Sequence, residues 1–325
     1  MRTSCKVGRS LSIVVLGVVT MAGGLAFAQE KFPAKPITLI VCTTAGGGQD
    51  VTARALQPHL EKNFRQPVIV TNKPGAGHAI GLNEAAIAAP DGYTIVMTSP
   101  SLNLLKYTMK AGVDYVKFEP IAFVGFSPVG ILVRKDAPWN TLQEILDYAK
   151  ANPEKLRIGN AGYGGLFHIS AIGMEMAAGV KFTHIPYKGT SASFPAILGG
   201  HIDAIAAAVV DTFPLIKGNK LKVLGIAAAE RSKIVPEAPT FNELGMKAEY
   251  ATTYTFLGPK GIPKERVKIL YDGFQKSSNT KEFKDYCSNQ GVTMALMGPE
   301  EFGKFLEKED KKWKELVTIG GIKPE

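Results

Sequence analysis

The sequence has few of the residues, and none of the short motifs, that commonly build metal centres. Three cysteines occur among 325 residues, and no two of them form a Cys-x-x-Cys pair. No His-Glu-x-x-His motif and no cluster of His and Cys residues occurs, although such patterns hold zinc in many proteins. We therefore predict no metal site and no cofactor. A disulfide between Cys42 and Cys287 stays open, as does a simple buried position for Cys42.

The common catalytic and phosphate-binding signatures are also missing. No Gly-x-Ser-x-Gly elbow occurs, and no histidine outside the N-terminal segment has a neighbour suggesting a base with its orienting group. The glycine run at 46–48 fits neither Gly-x-Gly-x-x-Gly nor the P-loop pattern, because Gln49 and Asp50 follow it. The sequence therefore predicts a binding protein and not an enzyme, with a hydrolase kept as an alternative. The histidines are His59, His78, His168, His184 and His201.

Long apolar runs are absent except near the N-terminus. Positions 11–22 are apolar, three basic residues precede them, and Ala26-Phe27-Ala28 fits the small-x-small cleavage pattern. We predict a signal peptide at 1–28, cleaved before Gln29, and an exported soluble protein. The basic residues are Arg2, Lys6 and Arg9.

The positive charge is scattered and not concentrated in one patch. Removing the three basic residues of 1–28 lowers the net charge from +9 to about +6, which suits an anionic ligand. The lysines at 308–314 alternate with acidic residues, which is typical of a solvated helix face. We therefore predict no nucleic-acid partner.

The stretch from Pro36 to Arg54 is typical of a strand, a glycine turn and a helix. An apolar run at 37–41 suits a buried parallel strand, and Gly46-Gly47-Gly48 gives a backbone free to approach a ligand. We predict Asp50 to be the N-cap of the following helix. Backbone N–H groups at a helix N-terminus favour an anion such as a carboxylate. The alternative is a tight turn without a ligand.

The same strand–turn–helix pattern recurs at 67–89 and at 156–178, and Ser99 and Ser101 follow a further strand at 94–98. Repeated units of this kind predict a parallel α/β sheet with ligands outside the carboxyl ends of its strands. Chain crossings near 126–130 and 252–258 predict two lobes with a cleft between them. We expect lobe 1 to comprise 29–126 plus 256–325 and lobe 2 to comprise 127–255.

Nearly the whole mature chain resembles one known family, the solute-binding proteins of tripartite tricarboxylate transporters, best known from Bordetella uptake proteins. The matching segments keep their order and spacing, which makes the set specific. They include Pro36–Val41 with Gly46–Asp50, Asn72–Gly77, Ala89–Tyr93, Ala161-Gly162 with His168, Pro186–Gly189, Leu198–Gly200 with Asp203, and Pro236–Thr240.

The resemblance implies an α/β, two-lobed type II periplasmic-binding-protein fold, the Venus flytrap type, with a ligand cleft between the lobes. It implies a monomeric periplasmic receptor that closes on a small organic carboxylate (a mono-, di- or aromatic acid) and delivers it to integral membrane permease subunits. A ligand sensor that presents the acid to a two-component signalling system is the alternative.

The resemblance also implies which residues contact the ligand. Backbone amides and ordered waters at the first two turns would hold one carboxylate, with Asp50 positioning water, and Asp211, following a strand at 204–210, would reach the distal end. The first-lobe residues are Thr43, Ala45, Gly46, Gly47, Gly48, Asp50, Gly75, Ala76, Gly77, Ser99 and Ser101. The second-lobe residues are Ala161, Gly162, Gly164, Gly165, His168, Lys188, Gly189, Thr190 and Asp211.

Two departures from the family pattern bear on the ligand. The first strand ends Cys42-Thr43-Thr44-Ala45 where family members often carry Pro-Phe, and Gly165-Leu166 replaces hydroxyl residues. A ligand carboxylate there would lose partners, which costs roughly 1–3 kcal/mol. We therefore expect a monocarboxylate or aromatic acid and not a tricarboxylate.

Alternatives remain for several of these residues. Asp50 is a cap or a water-positioning group, and His168 is a structural hydrogen-bonding residue or a ligand contact. Lys188 faces the ligand or pairs with Asp211 or Asp203.

Overall fold

The computed structural model describes residues 31–110 and 113–324, together with Met1. The predicted signal peptide therefore lies, apart from Met1, outside the described residues. The compact unit Phe32–Glu325 contains every strand and helix given below.

Ten strands are present in the described ranges. They are β1 (Ile37–Val41), β2 (Val68–Asn72), β3 (Thr94–Thr98), β4 (Phe118–Arg134), β5 (Arg157–Ala161), β6 (Thr183–Tyr187), β7 (Ala204–Ala208), β8 (Leu221–Ile226), β9 (Ala251–Pro259) and β10 (Thr293–Met297).

Ten α-helices accompany them across the same residues. They are α1 (Gly48–Phe64), α2 (Ala79–Ala86), α3 (Ser101–Thr108), α4 (Leu142–Ala151), α5 (Leu166–Ala178), α6 (Phe194–Leu198), α7 (Val209–Lys217), α8 (Lys264–Ser278), α9 (Lys281–Gln290) and α10 (Pro299–Ile319). Short 3₁₀ helices cover Ala76–His78, Tyr115–Lys117, Thr190–Ser193 and Asn242–Leu244.

The strands follow the order β2-β1-β3-β9-β4-β7-β5-β6, and β10 and β8 also pair with β4. The pairs β1–β2, β1–β3, β5–β6 and β5–β7 are parallel, as the repeated strand–turn–helix units predict. The pairs made by β4, as well as β3–β9, are antiparallel, so the sheet is mixed and not purely parallel.

Strand β4 joins two halves of this sheet. Its first part, through Pro128, pairs with β9, while Val129 to Leu132 pair with β7. The chain crossing predicted near 126–130 thus lies within one continuous strand, because Phe126 and Pro128 pair with Thr253 and Ala251 of β9. We call the β1–β3 side of β4 the first half-sheet and the β5–β7 side the second half-sheet.

Each half-sheet has its own apolar core. Leu39, Leu56 and Phe256 belong to a core of the first half-sheet, and Ile158 to that of the second. Helix α10 contacts both sides, since Phe302 packs near Phe123 while Trp313 lies in the second core beside Tyr250. The C-terminal helix, which we expected to pack on the first lobe, thus contributes to two cores.

Several elements differ from the predictions. Helix α3 and strand β10 were not predicted, and the strand expected at 204–210 ends at Ala208, where α7 begins. Helix α1 starts at Gly48 with Gly47 as its N-cap, so the prediction that Asp50 is the N-cap is wrong. Within the described ranges, no helix is both long enough and apolar enough to span a bilayer.

Candidate functional site

A cleft of about 710 Å³ lies where the carboxyl ends of parallel strands meet the first turns of α1, α3, α5 and α7. This is the edge of the sheet at which ligands bind in such folds. Sixteen predicted residues line it: Thr43, Gly46, Gly47, Gly48, Gly75, Ala76, Gly77, Ser99, Ser101, Ala161, Gly162, Gly165, Lys188, Gly189, Thr190 and Asp211.

Four predicted residues do not line the cleft. Ala45 is exposed but lies outside the lining, while Asp50, Gly164 and His168 are buried behind the lining. The side chains of Asp50 and His168 bond to backbone amides of the turns, so a residue's place in the sequence motif does not reveal whether its side chain faces the ligand.

Sequence reasoning missed much of the side-chain wall. The missed residues are largely aromatic or apolar, and several of them lie on helices and strands outside the predicted glycine turns. They include Cys42, Gln49, His78, Met109, Leu166, Tyr187, Phe194, Thr252 and Tyr254.

The turn at 43–48, here the α1 turn, is held by Asp50. Gly46 has a φ of +79°, a conformation that glycine adopts without strain, and its N–H donates to Asp50 Oδ2 over 2.8 Å. Asp50 Oδ1 accepts from Arg54 Nε and from Asn72 Nδ2, each over 2.9 Å. Asn72 Nδ2 also donates to the Thr43 carbonyl oxygen over 3.0 Å. One carboxylate thus ties the turn, the helix and the end of β2 together.

This network keeps Asp50 ionised. The carboxylate is 3% exposed, and burial alone would raise its pKa. The donors from Gly46, Arg54 and Asn72 outweigh burial, and the pKa is lowered. Arg54, one turn further along α1, forms an ion pair with Asp50 over 2.9 Å.

The turn at 161–165, here the α5 turn, repeats the arrangement with a different side chain. Gly165 is the N-cap of α5, and the Gly164 N–H donates to His168 Nδ1 over 3.0 Å. Gly164 has a φ of +64°, and a Cβ atom there would lie 2.8 Å from the Cβ of Thr108, so no larger residue fits. Burial, with a smaller effect of His184, lowers the pKa of His168 to about 4.

The turn at 73–77, here the Gly75 turn, provides a third group of backbone donors. Gly75, Ala76 and Gly77 all have positive φ, and across the described chain their amides donate to no other backbone atom. His78 follows, with Nδ1 3.3 Å from Thr98 Oγ1, and burial lowers its pKa to about 4. A neutral His78 leaves this side of the cleft without charge.

Asp211 lies in the first turn of α7 and not after a strand, because the chain turns into helix at Val209. Thr190 Oγ1 donates to its Oδ2 over 3.2 Å, and a Cβ atom on Gly48 would overlap its Oδ1. Burial raises the pKa of Asp211 to about 6, against the opposing effects of Thr190 and the Gly48 N–H. Asp211 therefore brings a second carboxylate to the α1 turn.

Lys188 is exposed at the mouth of the cleft and forms no ion pair with any residue the structure describes. Asp203, one of the partners considered for it, pairs with Arg157 over 2.7 Å. Neither of the pairings considered as an alternative for Lys188 is present among the described residues, so its charge is available to the cleft.

Buried polar atoms without a protein partner also occur at the cleft. Gln49 is 4% exposed and Tyr254 is fully buried, yet Gln49 Oε1 and the Tyr254 hydroxyl have no hydrogen-bond partner among the described residues. Cys42 and Cys287 are buried and free, which answers the open question of a disulfide. Burial raises the pKa of the Cys287 thiol to about 12.

Comparison with known proteins identifies the family. A model described as the tripartite tricarboxylate transporter family receptor matches residues 52–322. The chain is 35% identical to the UPF0065 protein of the gbd 5′ region of Cupriavidus necator, over 98% of this chain and 96% of that protein. The structure of the periplasmic binding protein BugD is 30% identical, with a TM-score of 0.84 over 90% of this chain and 100% of that one.

A second solved structure was determined with its ligand in place. MatC from Rhodopseudomonas palustris, with bound malate, is 26% identical and has a TM-score of 0.79 over 88% of this chain and 100% of that one. The expected α/β fold of a two-lobed periplasmic binding protein is confirmed. The chain belongs to the tripartite tricarboxylate transporter receptor family.

Proposed function

We propose that this receptor captures a small organic acid in the periplasm by closing its cleft and delivers the acid to a membrane permease. The observation that carries the proposal is the convergence of three glycine turns on one cleft, two of which, the Gly75 turn and the α5 turn, have amides that donate to no backbone atom in the described ranges. Backbone amides at helix N-termini favour a carboxylate without requiring a buried counter-charge. The family and the bound malate of MatC support the same class of ligand.

The electrostatics of the cleft favour the Gly75 turn and the α5 turn for the ligand carboxylate. The α1 turn already faces the carboxylates of Asp50 and Asp211. Helix α5 has no acidic residue in its first turn, and the amides of residues 165–167 donate to no backbone atom in the described ranges. A ligand carboxylate between these two turns avoids the repulsion present at the α1 turn.

The apolar wall supports the expectation of a mono- or aromatic acid. Phe167, Phe194 and Leu166 line the cleft on the second-half side, and Tyr163 lies 42% exposed beside them. These side chains offer contact area to a hydrocarbon or ring and offer few hydrogen bonds to further carboxylates. We therefore keep a monocarboxylate or aromatic acid as the proposed ligand class and citrate-like acids as the disfavoured one.

Closure would bend the paired strands β4 and β9. These strands connect the half-sheets, and their pairing runs from Phe118–Pro259 to Pro128–Ala251. We propose lobe 1 at 29–126 plus 256–325 and lobe 2 at 127–255, with the hinge at the lobe borders. The permease would recognise the closed form.

Native mass spectrometry of the periplasmic protein, followed by denaturing release, tests the proposal. A single organic acid recovered unchanged is expected. Titration calorimetry would then compare benzoate, acetate, succinate and citrate, and we expect benzoate or acetate to bind more tightly than citrate. A clear preference for citrate would overturn the ligand class, and turnover of the acid would favour the hydrolase alternative.

Delivery needs a test of its own. Proteoliposomes that contain the cognate permease should take up labelled acid only when the loaded receptor is added. Uptake that is independent of the receptor would contradict the transport function and leave the binding function standing.

A further inference from the structure

The α1 and α5 turns share one backbone arrangement. Each helix has a glycine N-cap, Gly47 or Gly165, and in each the residue before the cap has a positive φ and donates its N–H to the side chain four residues later. In the α1 turn the acceptor is Asp50, and in the α5 turn it is His168. His168 therefore occupies the position that Asp50 occupies, with a side chain whose accepting ability depends on its protonation.

A histidine ring nitrogen accepts a hydrogen bond only when it carries no proton. The Gly164 N–H points at Nδ1, so the arrangement requires the proton of a neutral His168 ring to be on Nε2. We propose that His168 is a positioning residue, which as the neutral Nε2–H tautomer fixes the α5 turn in the shape that binds ligand. This inference rests on the proposed function only where it concerns ligand affinity.

The surroundings of His168 favour the neutral ring. His168 is 4% exposed, and its ring lies 4.8 Å from that of His184 on β6 and 5.0 Å from that of Tyr163 on the turn. The nearest acid on its own helix, Glu175, has Oε2 3.2 Å from His184 Nε2 and accepts the Phe182 N–H through Oε1. Among the described residues, no carboxylate forms an ion pair with His168.

Loss of the His168 acceptor would affect the cleft, because the α5 turn contributes residues to the cleft lining. Gly162, Tyr163 and Gly165 line the cleft, while Gly164 is packed against Thr108 behind it. Without the Nδ1 acceptor, the buried Gly164 amide has no partner, and an unpaired buried donor drives rearrangement. The lining residues on both sides of Gly164 would then move from the positions that present their amides.

The tautomer is tested directly on the wild-type protein by nitrogen NMR of the histidine rings at neutral pH. We expect the shift of an unprotonated Nδ1 and a protonated Nε2 for His168, together with slow exchange of the Gly164 amide. A protonated Nδ1 would overturn the proposal whether or not any ligand binds.

The positioning role is tested with His168→Leu and His168→Asn, and exposed His201→Leu serves as the matched control. We expect His168→Leu to speed Gly164 exchange and weaken carboxylate binding about tenfold, the effect of one lost buried hydrogen bond. His168→Asn keeps an acceptor and should retain most of the Gly164 protection and most of the affinity. His201→Leu should change neither quantity. Unchanged Gly164 exchange and unchanged affinity in His168→Leu would refute the positioning role. If His168→Leu does not fold, the role is refuted by a folded His168→Asn protein in which the Gly164 amide exchanges fast. Failure of the wild type to bind any acid contradicts the proposed function but leaves the NMR and exchange results decisive.

Discussion

The α1 and α5 turns have the same backbone design and opposite electrostatics. The α1 turn is held by an ionised Asp50 with three donors, whereas the α5 turn is held by a neutral His168 with one. An ionised side chain can hold several segments at once. Its negative charge, however, lies close to the helix N-terminus and offsets the attraction of that N-terminus for a ligand anion. A neutral side chain such as His168 holds fewer segments and leaves the helix dipole uncompensated. The comparison assigns rigidity to the α1 turn and anion attraction to the α5 turn.

Replacing Asp50 should have the largest effect on the stability of the protein. Asp50→Leu leaves the Gly46 amide without its acceptor, removes the ion pair with Arg54 and takes away one of the two acceptors of Asn72 Nδ2. We expect a loss of about 2–4 kcal/mol in the free energy of unfolding. Urea denaturation would measure it, with His168→Leu compared under the same conditions. The comparison predicts the smaller loss for His168→Leu, about 1–2 kcal/mol. Equal losses would show that the charge of Asp50 adds nothing to its role.

A side chain at residue 48 should act on binding more than on folding. A Cβ atom of Gly48→Ala would overlap Asp211 Oδ1, so the α7 end must move away from the α1 turn. We expect carboxylate affinity to fall at least about tenfold, on the scale of 1.4 kcal/mol per factor of ten. Calorimetry of ligand binding would measure this.

Gly46→Ala is the matched control for that variant. A Cβ at Gly46 meets no neighbouring atom within 4 Å, but the φ of +79° makes alanine strained there. We expect a stability loss of about 1 kcal/mol from backbone strain with a smaller change in affinity. Similar affinity losses in the two variants would mean that strain, and not the overlap with Asp211, disturbs the cleft.

The sequence predicted well the features of both turns that depend on residues close together in the chain. The strand–turn–helix patterns predicted at 67–89 and 156–178 correspond to β2 with α2 and to β5 with α5. These features depend on residues within one or two turns of each other. The glycine turns were found for the same reason.

The features that the sequence did not reveal depend on distant contacts. The apolar run at 204–210 continues without a break through Val209 and Val210, so periodicity cannot show that the chain becomes helical after Ala208. Strand β10 exists because its residues pair with Phe126 and Phe123 of β4, far away in sequence. The acceptor role of His168 requires the orientation of its ring, and the residue type alone is compatible with a ligand contact.

Asp211 gives the α1 turn a pH dependence that the α5 turn lacks near neutrality. Its pKa is about 6 in the folded protein and 3.8 ordinarily, so its proton stabilises the fold most below pH 3.8, and this stabilisation is lost as the pH rises through 6. We expect the free energy of unfolding of Asp211→Asn, measured relative to that of the wild type, to be about 1–2 kcal/mol greater at pH 7.5 than at pH 4. Urea denaturation of both proteins at the two pH values would measure the difference.

The same titration should appear in ligand binding. Ionised Asp211 repels a ligand carboxylate, so wild-type affinity should fall as the pH rises through about 6. Asp211→Asn should remove this dependence, while His201→Asn, an exposed site, should keep it. A flat profile in the wild type would place the ligand carboxylate too far from Asp211 to interact.

The smallest expected effect comes from Lys188, which adds exposed positive charge next to the α5 side of the cleft. Because the side chain is solvated and unpaired in the described structure, Lys188→Ala should weaken carboxylate binding only about two- to fivefold at low salt. The difference should disappear near 0.5 M salt, where screening is effective within about 4 Å. Lys181→Ala, an exposed lysine outside the cleft lining, is the control and should bind as the wild type does. A larger loss that persists at high salt would mean that Lys188 contacts the ligand directly, and the anion attraction assigned to the α5 turn would then belong to a side chain and not to its backbone amides.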